Sequence, residues 1–201
     1  MKRKLFARLK EWFEELGEIT LTATGTLIKE AQRNEYGQVD DLLWKAIDVK
    51  DELNDTVIEA LIRCQPLARD MRFVRSIFTA SYDAYRIVRH CSRVEAILTI
   101  DGRESARSTV IEGLMIIQPW LERGVSTFTR DEKPPVHELP FFESAFEEFW
   151  ETNVKTDDPY VMGVLIHCEG IFNHTKHLLR AGVYYLDGSR GLEKTPILMV
   201  D

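Results

Sequence analysis

Three cysteines are all the 201-residue chain carries, and Cys64, Cys91 and Cys168 stand far apart with no Cys-x-x-Cys spacing. An odd, scattered set excludes a disulfide framework and a zinc ribbon, and each lies in an apolar helical context where a free buried thiol belongs. Eleven glycines are spread over helix ends and turns. They make no Gly-rich phosphate loop, no Gly-x-Ser-x-Gly elbow follows a strand, and no His-Glu-x-x-His occurs. Basic surplus is also missing: 26 Lys and Arg face 33 Asp and Glu, for a formal net charge of −7. A chain of that balance is not expected to bind nucleic acid directly, because it has no cationic excess with which to displace phosphate counterions. No run approaches the ~20 apolar residues of a membrane span, and the basic start Met1-Lys-Arg-Lys-Leu-Phe lacks the apolar core of a signal peptide. A cytoplasmic location is expected.

What the sequence does have is helical periodicity almost throughout, with scarcely any strand-like alternation. A first helix is predicted over about 4–33, with Leu5, Leu9, Trp12, Leu16, Ile19, Ala23 and Leu27 on its apolar stripe. A second follows over about 38–63 and a third over about 66–99, with Pro66 at its first position, where a missing N–H costs little. The fourth spans about 105–129 and contains Pro119, which predicts a kink. A short fifth, about 141–152, is acidic on one side through Glu143, Glu147, Glu148 and Glu151. The sixth, about 159–186, opens on an Asp157-Asp-Pro159 start signal. The expected fold is all-α: two tandem three-helix bundles of up-down topology, the first over 1–102, a second and shorter one over 103–188, and an apolar C-terminal tail over 189–201. That tail is expected to dock on a bundle groove or on a second subunit, which favours a homodimer.

The third helix opens Gln65-Pro-Leu-Ala-Arg-Asp-Met-Arg-Phe73 and continues to Tyr82-Asp-Ala-Tyr-Arg-Ile-Val-Arg-His90. The run resembles the PhoU family, whose third helix begins Gln-Pro-x-Ala-Arg-Asp-Leu-Arg and is followed by Asp-Leu-Glu-Arg-Ile-Gly-Asp-His. Asp83, Arg86, Ile87 and His90 stand where that family's Asp, Arg, Ile and His stand. Cys168-Glu-Gly-Ile-Phe-Asn-His174 in the sixth helix resembles the family's second such segment. The resemblance implies six helices in two repeats and a cytoplasmic adaptor that negatively regulates phosphate uptake and starvation signalling. Its implied partners are the ATPase subunit of the phosphate importer or a signalling protein. Other readings within the same fold are a scaffold for a different transporter or transcription regulator, and a metal- or phosphate-sensing protein.

Some family members bind metal through a Glu/Asp-x-x-x-Asp pair on the third helix of each repeat. Here the first pair is Tyr85 and Arg89, and arginine cannot ligate a cation. The second is Glu169 and Asn173, with His177 four residues on, so Glu169, Asn173 and His177 form an i, i+4, i+8 row and a weak metal candidate. The resemblance therefore implies loss of the multinuclear sites, and no cofactor is expected. A di-iron oxidase is excluded by its own signature, since no Glu-x-x-His occurs on any helix.

Arg69, Arg72 and Arg75, then Arg86 and Arg89, recur at helical steps and are expected to form a basic ridge, with Asp70 and Asp83 orienting it. Asp83 and Arg86 are read as an i, i+3 ion pair. The ridge has two readings: complementarity with the acidic second helix, or a docking surface for an acidic partner or a phosphate-bearing ligand. The basic, amphipathic stretch 2–10 likewise has two, ordinary core packing or peripheral contact with an anionic membrane. His167 and His174, seven apart, read as histidines packed inside the bundle.

Overall fold

A computed structural model describes residues 2–100 and 104–188. All regular structure in it is helical: α1 (Lys2–Arg33), α2 (Val39–Cys64), α3 (Arg69–Leu98), α4 (Glu104–Thr129), a 3-10 turn (Val136–Glu138), α5 (Leu139–Asn153) and α6 (Pro159–Asp187). The expected repeat boundary at 102 and the tail 189–201 lie outside the described residues. Helices α1, α2 and α3 pack together, as do α4, α5 and α6, and the two sets meet where α1 lies on α4 and α3 on α6. One continuous apolar core runs through all six helices.

Helix α1 buries Leu5, Leu9, Phe13, Leu16, Thr20, Ala23 and Leu27, a stripe of three- and four-residue steps. Phe13 rather than Trp12 faces the centre. Its ring lies 4.8 Å from that of Phe128 on α4. From there an aromatic chain crosses the bundle: Phe128 to Tyr185 on α6 at 6.0 Å, Tyr185 to Phe73 on α3 at 5.1 Å, and Phe73 to Phe6 on α1 at 5.6 Å. Close approach of α1 to α4 depends on Gly17, where a Cβ would stand 2.6 Å from a Val125 methyl. Helix α5 docks through Phe142, Phe146 and Phe149, with Phe142 and Phe146 against Phe172 of α6, and leaves its acidic side outward.

The start of α6 follows the sequence signal: the Asp158 side chain accepts from the Tyr160 N–H at 2.8 Å, with Pro159 at the first helical position. The start of α3 does not. Gln65 ends α2 in the left-handed region (φ 43°), Ala68 has φ 49°, and the helix begins only at Arg69. Pro66 therefore lies in the turn and not at the first position of α3. Three residues of the basic amino terminus form surface ion pairs with other elements: Lys2 with Asp70, Arg8 with Glu59, and Lys10 with Asp131 at 2.9 Å. Opposing the dipole of its own helix, the cluster instead ties α1 to α2, α3 and the loop after α4.

A carboxylate from a distant helix caps α2. Gln38 at its N-cap makes no side-chain cap bond. Glu95 of α3 accepts instead from the Gly37 and Val39 N–H groups at 2.9 and 3.0 Å, and Glu30 of α1 accepts from the Gln38 N–H at 3.0 Å. Burial, aided by neighbouring Glu95, pushes the Glu30 carboxyl up to about 7 against the opposing pull of the Gln38 N–H.

Candidate functional site: the α3–α6 seam and the adjoining face

Helices α3 and α6 run antiparallel over their full length, and the sequence places related polar residues on both. Asp83 and His90 are seven apart on α3, and His167 and His174 are seven apart on α6. Seven residues are close to two helical turns, so each pair lies on one face. Antiparallel packing then crosses the pairs: His174 Nδ1 lies 2.8 Å from Asp83 Oδ1, and His90 Nδ1 lies 3.1 Å from His167 Nδ1. The seam is thus built twice, once as aspartate with histidine and once as histidine with histidine. Rings of His90 and His174 stand 5.6 Å apart and link the two halves. Gly170 makes this possible, since a Cβ there would be 2.4 Å from His90 Cε1. The Asp83 side chain is 4% exposed, and His177, one turn beyond His174, brings its Nδ1 to 3.5 Å from the same oxygen.

This arrangement corrects the expected Asp83–Arg86 pair. The buried carboxylate goes to the α6 imidazoles, while the Arg86 guanidinium sits over the Tyr82 ring at 5.9 Å. Asp83 consequently orients α6 and not the arginines.

Burial, then the charges of His167, His174, Arg86 and Arg89, lowers His90 to about 4. Burial and Arg93 lower His167 as well. The pair needs one Nδ1–H to donate and one bare Nδ1 to accept, an arrangement that a second added proton destroys. Because the unfolded chain takes up the His90 proton near pH 6.5, the contribution of a neutral His90 is complete above that pH and is lost as pH falls toward 4. With solvent screening at this half-buried ring, the loss is expected to be about 1–2 kcal/mol. Glu30 acts in the opposite direction over an overlapping range. The check is therefore the difference in unfolding free energy between wild type and His90→Phe at several pH values. That difference should shrink on acidification, and a pH-independent difference would contradict the assignment.

The basic ridge divides in two. Arg69 lies over the Tyr185 ring at 5.8 Å, Arg75 over Tyr184 at 5.2 Å, and Arg72 beside Gly188. These three gather round the last turn of α6, where the carbonyl end of the helix dipole favours cations. Asp70, for its part, is engaged by Lys2. Arg69, Arg75 and Arg89 are exposed. The expected complementarity with acidic α2 is not realised, for among the described residues no salt bridge joins α2 to α3; Glu59 of α2 pairs with Arg8 and with Arg63. Beside its apolar contacts, α2 meets α3 through the Ser92 hydroxyl donating to Asp40 Oδ1 at 3.0 Å, Lys50 over the Tyr85 ring at 5.0 Å and the Ser81 hydroxyl on Asn54 Oδ1 at 3.5 Å.

The antiparallel register of these contacts sets exposed apolar residues of both helices on one side of the molecule. Met71, Arg75, Phe78 and Tyr82 share one face of α3, and Ile58 and Ile62 of α2 fall opposite the same turns. Phe78 is 49% exposed, Ile62 71%, and Leu67 in the connecting turn 79%. The three- and four-residue stripe through Phe73, Ile77, Ala80 and Ala84 leaves Met71, Phe78 and Tyr82 off the core face of α3, but the periodicity of one helix does not show which residues of α2 fall opposite them.

The row Glu169, Asn173 and His177 is split: Glu169 and Asn173 stay exposed, while His177 turns toward Asp83. Glu143 of α5 is engaged by Lys176 at 2.7 Å. The thiols of Cys91 and Cys168 are fully buried and free, and burial pushes that of Cys168 up to about 12, leaving it inert as a nucleophile.

No protein-family model and no curated protein sequence matches the chain. Among solved structures, PhoU from Pseudomonas aeruginosa superposes with a TM-score of 0.68 over 94% of this chain and 96% of that one, at 16% identity. The fold is the PhoU fold. Within that fold, the seam described above joins the third helix of one repeat to the third helix of the other. No helix among the described residues is long and apolar enough to cross a membrane.

Proposed function

We propose that the chain is a PhoU-like regulatory adaptor, not an enzyme, which restrains phosphate uptake or starvation signalling in the cytoplasm by docking on the importer's ATPase subunit or on a signalling protein. The observation that carries this reading is the exposed face of α2 and α3, where Ile58, Ile62, Leu67, Met71, Phe78 and Tyr82 lie beside Arg75 and Arg89. Contiguous exposed apolar side chains with interspersed arginines are the composition of a protein interface, and isolated core helices do not need them. The PhoU fold, shared with the Pseudomonas aeruginosa protein, supports a phosphate-linked partner.

Uptake of radiolabelled phosphate by cells lacking the chain tests the reading. Loss of the chain should leave uptake unrestrained when phosphate is ample, and the wild-type chain should restore restraint. An Arg75→Glu/Arg89→Glu double variant should fold and accumulate normally yet fail to restore it. Full restoration by that variant would remove the arginines from the docking surface. Uptake unaffected by loss of the chain would remove the phosphate role itself.

A further inference from the structure

We propose that Asp83, His174 and His177 form a mononuclear site for a borderline divalent cation of the zinc type, bridging α3 of one repeat to α6 of the other. The site differs in residues and place from the exposed Glu169–Asn173–His177 row, and it does not depend on the phosphate reading.

Three features of the structure converge here. One ligand atom from each of the three residues lies within 4.8 Å of every other. Asp83 Oδ1 is 2.8 Å from His174 Nδ1 and 3.5 Å from His177 Nδ1, values that bracket the roughly 3.3 Å separating two tetrahedral ligands each about 2 Å from zinc. The i, i+3 spacing holds both imidazoles on one side of α6, and Asp83 reaches them from the facing helix without bending either backbone. Their exposure is graded: the Asp83 side chain is 4% exposed, His174 16% and His177 51%. A buried carboxylate thus forms the floor, and an imidazole at the surface leaves an entry path and an open coordination position for water.

Donor chemistry chooses the ion. Two nitrogens and one carboxylate oxygen suit zinc, nickel or cobalt, whereas magnesium and calcium require more oxygen ligands than the site provides. The nearest cation on α3 does not intrude, since Arg86 holds its guanidinium over Tyr82 and leaves the carboxylate to the imidazoles. Without metal, His174 donates its Nδ1 proton to Asp83. On loading, the cation takes the Nδ1 lone pair and the displaced proton passes to His174 Nε2 or to solvent, so affinity falls with acidification. Bound metal would lock the two repeats at the midpoint of the seam.

The test is calorimetric titration of the full chain, stripped with chelator, with zinc ion alone near pH 7.5. One zinc per chain is expected. His177→Ala removes a ligand whose side chain is half in solvent and should leave folding intact. It should weaken zinc binding by about 100-fold, at least the loss that outer-shell partners of metal sites produce. His137→Ala, which removes the 83%-exposed imidazole beyond the seam, should change nothing. Asp83→Asn, with its near-identical shape, should weaken binding by a similar factor. No binding to the wild type, or binding unchanged by both His177→Ala and Asp83→Asn, would overturn the site.

Discussion

Phe128→Ala is expected to lower the unfolding free energy by about 3–5 kcal/mol and the melting temperature by about 10 °C, as read by thermal and urea denaturation. The ring is fully buried and stands at the crossing of both repeats, touching Phe13 of α1 on one side and Tyr185 of α6 on the other. Truncation leaves a cavity that neither neighbour can fill alone, because Phe13 is itself packed on a fully buried stripe and Tyr185 is held by its hydroxyl donating to Asp131 Oδ1 at 2.6 Å. Effects should extend past stability. With this chain interrupted, the last turn of α6 loses its support, and with it the tyrosines under Arg69 and Arg75. A loss below about 1 kcal/mol would mean that the two repeats are held together elsewhere.

Glu95→Ala is expected to cost about 3 kcal/mol, a large effect for a residue that is not part of the apolar core. It strands the buried N–H of Val39 and the part-buried N–H of Gly37, each of which loses a charge-assisted acceptor. Amide hydrogen exchange locates the damage: Gly37 and Val39 should exchange much faster, and Gln38, whose acceptor is Glu30, should be affected less. Glu95→Gln retains a side-chain oxygen and removes the carboxyl that opposes ionisation of Glu30, so it should cost appreciably less. Equal exchange rates in Glu95→Ala and wild type would contradict the remote cap.

The two glutamates show what sequence reading reached and what it did not. Helix count, helix order and the N-cap of α6 were legible, because apolar periodicity and an Asp-Pro signal are local. The PhoU fold was legible from the run 65–73, whose pattern is specific. Contacts between elements distant in the chain were not. Glu95 carries no local mark of a cap for a helix that begins 56 residues before it. Asp83 read as a partner for Arg86 because i, i+3 spacing is the rule visible in one helix, yet the facing α6 offered two imidazoles to a carboxylate too deep for an arginine that prefers to stack on Tyr82. Pro66 likewise read as a helix start, because proline suits the first position. Backbone geometry at Gln65 and Ala68, which moves the start to Arg69, depends on how α2 and α3 are turned against each other. The histidines were visible as a seven-residue pair on α6, and matching them with Asp83 and His90 required the antiparallel register.

The arginines divide along the same line. Their spacing announced a ridge, and Arg69, Arg72 and Arg75 gather round the end of α6. For the proposed partner, Arg75 and Arg89 stand exposed beside the apolar residues of α2 and α3, and Arg69 is exposed at the end of α6. Arg75 belongs to both groups, so partner contact there would be felt at Tyr184.

The most direct measurement is recovery of the tagged chain from its own cells, grown in ample and in scarce phosphate, with bound proteins identified by mass spectrometry and the same experiment repeated with Phe78→Glu. The phosphate importer's ATPase subunit or a phosphate-signalling protein is expected, bound more strongly when phosphate is ample and lost in Phe78→Glu. Recovery of that partner undiminished in the variant would contradict the docking face, and recovery of no phosphate-system protein under either condition would contradict the regulatory role.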